Sequence, residues 1–399
     1  MVATKPLDTI PEELQAMVAS FAKPRDLIAL RQTCRALART SHDAFAKAFF
    51  RAREHDVSIH GLKALLDIVT TSVFGQRIQE IVFVGVAPLL YDPYAEHTEQ
   101  MLEKDQARAS GDCGALLMQL FKSLISAGYA PALKLSAESD DFNYYADKFA
   151  RHIMRALVAA RYPIEDLTLS LPDLNYAAFA FFRAPACESA QVFQSLRRLA
   201  ICKNDLDSIV AHFRNPNKTH LAEMLEKATL LEELKLFDED QCTTQCSAYL
   251  HKIFESLQTS SLKSVEVSDL CIDDDVVDPM LLTCLRRCGV LLERIVFKNM
   301  TMILHDEMWQ ELAKWMSEKL PALKYLRLEK LAYRLLDGVH MKWYGRAMEG
   351  EYQGREAVEK ALSKLCEQSD LVGAAGSAAH GEEDAETSDE DDLDADAAA

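Results

Sequence analysis

The 399-residue chain is 49% apolar and 27% charged by residue count, enough to bury a large core and to carry more than one structural unit. Its formal net charge of −18 lends nothing to nucleic-acid binding, and no apolar run approaches the ~20 residues of a membrane span, so neither a nucleic acid nor a membrane is an expected partner. Ten cysteines lack the short paired spacings of a secreted scaffold, and the N-terminus lacks the apolar stretch of a signal peptide, so the expected setting is the cytoplasm, the nucleus or both, with thiols reduced.

The first predicted elements lie between Ile10 and Phe50. Leu14, Met17, Val18 and Phe21 fall at i, i+3, i+4 and i+7 on one helix face, opened by Pro11 where a missing N–H costs nothing. A second helix restarts at Pro24 with Leu27, Leu30, Cys34 and Leu37 on one face, and Ser41 is placed to cap a third that holds Phe45 and Phe49. Three helices in about forty residues cannot enclose all of these groups, so part of the apolar face is expected to meet a partner.

His60 to Phe74 follows as a short amphipathic helix and Ile78-x-x-Ile81-x-Phe83 as a strand; residues 88–114, with prolines and charges, predict a surface loop insertion, and helical spacing resumes over Leu116 to Ala127. From there an internal repeat governs the chain. The pattern LxxLxL occurs as Ile164-x-x-Leu167-x-Leu169, Leu196-x-x-Leu199-x-Ile201, Leu231-x-x-Leu234-x-Leu236, Leu262-x-x-Val265-x-Val267, Leu292-x-x-Ile295-x-Phe297 and Leu323-x-x-Leu326-x-Leu328. Its centres are 30 to 35 residues apart; Ile81 starts the series and Leu133-x-Leu135 is a degenerate copy. Helix-compatible segments separate the copies: Leu221 to Thr229, Cys246 to Leu257, Val276 to Cys288 and Asp306 to Lys319. A strand and a helix repeated at this period predict an α/β fold of parallel strands with helices outside.

Beyond Lys330 the repeat stops, and Ala357, Val358, Ala361, Leu362 and Leu365 predict a helix that caps the open end. Residues 369–399 are Gly, Ala, Ser and acid without Lys or Arg; twelve carboxylates from Glu367 onward leave only −6 on the rest, and a disordered acidic tail is expected. Thr387 and Ser388, ahead of an acidic run, fit an acid-directed kinase.

No residue set points to catalysis. GxSxG, HExxH, GxGxxG and phosphate-binding GxxxxGK[ST] patterns are absent. Cys242, Cys246, Cys284 and Cys288 are spaced by four as on one helix face, which suits packing as small apolar groups rather than zinc. Gly111-Asp112-Cys113-Gly114 reads as a turn, the run Tyr176 to Phe182 as core, and scattered histidines such as His251 and His305 as ordinary surface or core residues. No catalytic residue, metal or cofactor is expected.

The spaced run Leu-x-x-Leu-x-Leu over Ile78 to Leu328 resembles irregular leucine-rich repeats, which implies a solenoid over residues 54–368. Residues between the buried leucines would then face its concave side, and toward the C-terminal end that row turns basic and aromatic, with Arg294, Lys298, Tyr325 and Arg327 beside Lys235 and Phe237 from an earlier copy. Such a patch suits an acidic or phosphorylated peptide on a target protein. Near the N-terminus, Ile10-Pro11-x-Glu13-Leu14 followed by Pro24-x-Asp26-Leu27-x-x-Leu30-Arg31-x-x-Cys34-Arg35-x-Leu37 resembles the F-box of filamentous-fungal type, with a departure at Ala22, where the family carries a larger apolar residue. The resemblance implies a three-helix module over residues 7–53 whose Ile10, Pro11, Leu14, Val18, Leu27 and Leu30 contact a Skp-type linker protein. Through that linker the chain would join a cullin and serve as the non-enzymatic substrate receptor of an SCF-type ubiquitin ligase. The alternative is a repeat-based interaction scaffold whose opening helices only cap the stack; the two differ in whether the apolar face of those helices is left exposed.

Overall fold

Ile81, Leu133, Leu167, Leu199, Leu234, Val265, Ile295 and Leu326 stand side by side as Cα partners across eight successive parallel strands, so the repeat centre is also the register of the sheet. The computed structural model describes residues 7–85, 111–137, 143–171, 188–203, 220–238, 257, 261–269, 271–273, 291–303, 308–334, 341–343 and 350–378. Its strands are β1 (Ala52–Asp56), β2 (Glu80–Gly85), β3 (Ala132–Ala137), β4 (Asp166–Leu171), β5 (Arg198–Lys203), β6 (Glu233–Asp238), β7 (Ser264–Ser268), β8 (Cys271–Asp273), β9 (Arg294–Ile303), β10 (Tyr325–Arg334), β11 (Met341–Trp343) and β12 (Gly350–Gln353). They form one sheet in chain order, except that β8 pairs only with the second half of β9 and β12 joins β10 beside β11. All pairings are parallel except those of β10 with β11 and β12, where two short antiparallel strands end the stack.

Between strands run α5 (Ile59–Thr71), α6 (Asp112–Ala127), α7 (Asn143–Ala160), α8 (Glu188–Gln194), α9 (His220–Lys227) and α10 (Met308–Lys319), with α11 (Arg355–Ala378) last. One sheet face is fully buried, because strand side chains alternate and each repeat sends its two leucine-type residues to the same side. There they meet Leu62 and Leu65 of α5, Leu117, Leu120 and Leu124 of α6, Ile153 and Leu157 of α7 and Met316 of α10 in one continuous core. Phe83, Phe121 and Tyr162 tilt against one another with ring centroids 6.2 and 5.2 Å apart. Burial pushes the Tyr162 hydroxyl well above its usual titration range, helped by the charge of Glu165.

Strand entry follows one rule. The carbonyls of Glu165, Arg197, Glu232, Lys263 and Glu293 each accept two N–H groups, from the two residues that open the next strand. These residues, with Lys324, form a row of alternating sign, tied by Arg197–Glu232 at 2.7 Å, Lys263–Glu232 at 3.1 Å and Lys324–Glu293 at 3.5 Å. A second column lies where the last repeats bend: Asp269, Asn299 and Lys330 all have positive φ, and Asn299 Nδ2 donates to Asp269 Oδ1 at 2.7 Å.

Several boundaries depart from the sequence reading. The opening segment forms four helices rather than three: α1 (Glu12–Phe21), α2 (Pro24–Thr33), α3 (Arg35–Thr40) and α4 (His42–Phe49). Cys34 is extended, with φ −157°, and so splits the expected second helix. Ser41 does not cap α4 with its side chain; its hydroxyl is buried and donates to the Leu37 carbonyl at 2.6 Å. β1 precedes the first expected strand and straddles the boundary drawn at residue 54, because its backbone pairs with β2 from Ala52 onward. The insertion expected over 88–114 ends sooner, since Gly111, with φ 84°, opens α6 and Asp112 to Gly114 are already helical. The closing helix packs Val358, Ala361, Leu362 and Leu365 inward as expected but continues to Ala378, where the tail was expected to begin at 369. Residues 369–378 hold two glycines, two serines and an aspartate beside three alanines, so intrinsic propensity does not account for the extension. Arg355 locks its first turn to the end of α10, donating to the Leu320 carbonyl at 2.5 Å.

Candidate docking surfaces

The first helix is turned outward. Gln15 and Ala19 are its buried positions, while Leu14 (47% exposed), Met17 (58%), Val18 (45%) and Phe21 (84%) form the opposite, solvent-facing stripe, with Ile28 of α2 exposed as well. A polar residue takes the inward place because it is fully used: Gln15 Nε2 donates to the Ile10 carbonyl at 2.8 Å, and its Oε1 accepts from Thr40 Oγ1 at 3.1 Å. Arg39 adds an ion pair to Glu12, so α1 is held to α3 by polar contacts and its apolar side is left over. Large exposed apolar stripes of this kind mark interaction surfaces.

The rest of the opening module packs normally. Leu27, Leu37 and Ala46 are its interior, and Arg31 reaches across it to donate to the Ala38 carbonyl at 2.7 Å. An aromatic cluster joins the module to the sheet: Phe74, just after α5, stacks on Phe50 at 4.4 Å and His42 at 4.7 Å and leans on Phe45 at 5.7 Å. The Arg31 guanidinium lies 4.4 Å from the Phe45 ring centroid, and Arg77 pairs with Asp43 at 2.7 Å. The face of α4 therefore belongs to the body of the protein, while that of α1 does not.

Of the residues expected to touch a linker, Pro11, Leu14 and Val18 are exposed and Ile10 and Leu30 are half-buried. Leu27 differs: at 2% exposure it has no surface to offer and acts as the module's core. Met17, Phe21 and Ile28 are the exposed members that this residue set omitted; Met17 and Phe21 share the spacing of Leu14 and were legible from it.

The second surface is the other face of the sheet near its C-terminal end, part-exposed at Lys235, Arg294 and Arg327 but buried at Val296 between them. The six residues expected there do come together: Arg294 is the Cα partner of Tyr325, Lys235 lies one strand from Glu266, and Phe237 is followed across the sheet by Ser268 and Lys298. Arg294 stacks on Tyr325 with its guanidinium carbon 4.2 Å from the ring centroid. The patch is not the free basic one that the row suggested. Glu266 takes Lys235 at 3.0 Å and Lys298 at 3.4 Å, with Arg294 at 4.0 Å. Burial alone would raise this carboxyl, yet the hydrogen bond and charge of Lys235 and those of Lys298 hold it below its usual range. Arg327 pairs with Glu329 at 2.9 Å, and the antiparallel β12 brings Glu351 opposite Arg327. Four cations thus face three carboxylates, and the surface is a mixed polar one.

Cys113 is buried in the first turn of α6 with its Sγ 3.9 Å from the Val57 carbonyl, an interior thiol rather than an exposed nucleophile. A shallow open groove between α5 and α6 is lined by Val69, Thr70, Met118 and Lys122 among others. Among the described residues no group of His, Cys, Asp or Glu is arranged to hold a metal ion, and no helix is long and apolar enough to cross a membrane. Cys242, Cys246, Cys284, Cys288, Tyr176 to Phe182, His251, His305, Thr387 and Ser388 lie outside the described residues. No protein-family model matches the chain, and a search of the curated proteins finds no match.

Proposed function

We propose that the chain is a substrate receptor of an SCF-type ubiquitin ligase, in which the F-box-like helices α1 to α4 dock a Skp-type linker and, through it, a cullin. The leucine-rich-repeat-like body would hold the target protein. The observation that carries the reading is the outward stripe of Leu14, Met17, Val18 and Phe21, set on the segment whose sequence resembles the F-box. A scaffold whose helices only closed the end of the stack would have every apolar face turned inward; α4 does this through Phe45 and Phe74, and α1 does not. The open sheet face around Glu266, with Lys235, Phe237, Arg294, Lys298, Tyr325 and Arg327, is the proposed target surface, and its balanced charge suits a partner of mixed polarity more than a strongly acidic peptide.

Co-purification tests the assignment. The unaltered chain should retain a Skp-type linker, and Leu14→Asp with Phe21→Asp should lose it while the thermal unfolding profile stays the same. A double variant that still holds the linker as well as the unaltered chain removes the assignment.

A further inference from the structure

The α1 stripe carries its charges at its two ends. Glu12 and Glu13 precede it, and Glu12 is already paired with Arg39. Lys23 and Arg25 lie two and four residues after Phe21, with Asp26 next; all three are exposed, and neither cation pairs with a carboxylate among the described residues. Residues 7–53 hold eight Lys and Arg against five Asp and Glu, a net +3 within a chain of −18, so the remainder carries −21. A partner with an acidic approach surface is therefore drawn to the helical opening rather than to the rest of the chain, whose −21 includes the twelve carboxylates from Glu367 onward, and this biases its orientation before contact.

Size argues against a second copy as the occupant. A ten-residue helix is about 15 Å long. Laid against its own copy, it buries far less than the ~1,200 Å² at the lower end of stable interfaces. A groove that wraps Leu14, Met17, Phe21 and the neighbouring Ile28 covers more of each side chain than a second flat helix does.

Resting on the docking reading above, we infer that the stripe is received by an apolar groove with an acidic rim, whose carboxylates stand opposite Lys23 and Arg25. The apolar contacts hold the complex and the rim sets how fast it forms.

The test measures association and dissociation rates of the full chain with a purified Skp-type linker at about 50 and 500 mM salt. Lys23→Glu with Arg25→Glu should slow association at least about tenfold at low salt, leave dissociation nearly unchanged and lose most of its effect at high salt. Arg25→Lys should behave as the unaltered chain. Association that is unchanged in the double reversal, or a defect confined to dissociation and equal at both salts, overturns the acidic rim while Phe21→Asp still reports on docking. If Phe21→Asp binds normally, or the unaltered chain does not bind, the docking reading itself falls and the rim with it. Sedimentation of the free chain closes the remaining case: a concentration-dependent dimer that Phe21→Asp abolishes assigns the face to a second copy and overturns the proposal.

Discussion

Phe21 and Leu27 are apolar residues six positions apart in one small module, and replacing them should give opposite results. Leu27 is 2% exposed, so Leu27→Ala removes buried methyl groups and leaves a cavity, at a cost of about 2 to 5 kcal/mol. Phe21 is 84% exposed and sits at the last turn of its helix, so Phe21→Ser should change stability by no more than about 0.5 kcal/mol. Binding inverts the order. Burying the exposed four-fifths of a phenylalanine yields about 1 to 2.5 kcal/mol, roughly 5- to 70-fold in Kd. Thermal unfolding followed by circular dichroism reads the first effect, and equilibrium titration with a Skp-type linker reads the second. If Phe21→Ser lowers the unfolding midpoint as much as Leu27→Ala, then the stripe is packed inside the protein, and the case for a docking face is gone.

Three further outcomes follow from single sites. His55 in β1 is buried with its Nε2 unpartnered, and burial, with the charge of Arg53, lowers its pKa to about 4 against an unfolded value of 6.5; the unfolded chain takes up the proton first, so stability present above pH 6.5 declines as pH falls toward 4. His55→Phe should flatten the change in unfolding midpoint between pH 7 and pH 5; an unaltered slope refutes the assignment. Gly128 and Arg161 end α6 and α7 with the same hydrogen bonds, Tyr129 to Leu124 and Tyr162 to Leu157 at 3.0 Å, but Arg161 adopts φ 54° with a side chain, so Arg161→Gly should stabilise by up to about 1 kcal/mol in a denaturant titration and Gly128→Arg should do the reverse. Glu232→Lys puts a third cation between Arg197 and Lys263 and should lower the unfolding midpoint, more at low salt than at high; a shift independent of salt refutes the electrostatic origin.

What the sequence disclosed and what it withheld divide along physical lines. The repeat centres were legible because a buried position every 30 to 35 residues from Leu133 to Leu326 is imposed by the core, and these fall into register with Ile81, which a longer insertion separates from Leu133. β1, with sequence Ala-Arg-Glu-His-Asp, gave no such signal, since it is held by main-chain pairing to β2 and buries little beyond His55. β12 was invisible for the same reason, and with it the carboxylate of Glu351 that helps neutralise the expected basic row. The module over residues 7–53 marks a different limit. Period 3.6 shows that Leu14, Met17, Val18 and Phe21 share a face, and equally that Leu27, Leu30 and Leu37 do, but not which of the two faces turns inward. That is decided by Gln15, whose two hydrogen bonds make it a satisfied interior residue and leave the apolar side of α1 to the solvent.

The alternating row Glu165, Arg197, Glu232, Lys263, Glu293 and Lys324 explains how repeats with nearly interchangeable cores keep their order. Leucine-type residues at every centre would let a strand skip its neighbour and pair with the next one without exposing apolar surface. Skipping one strand, however, sets Glu165 beside Glu232, or Arg197 beside Lys263, so that like charges meet at adjacent-strand spacing of about 4.8 Å. The native order sets opposite charges on neighbouring strands and closes ion pairs at three of the five steps, and the backbone carbonyls of Glu165 to Glu293 in the same row receive two N–H groups at the next strand's start. Each exposed pair contributes little alone. Their work is discrimination: the core supplies the stability common to any pairing of the strands, and the charges at strand entry select one pairing from that set.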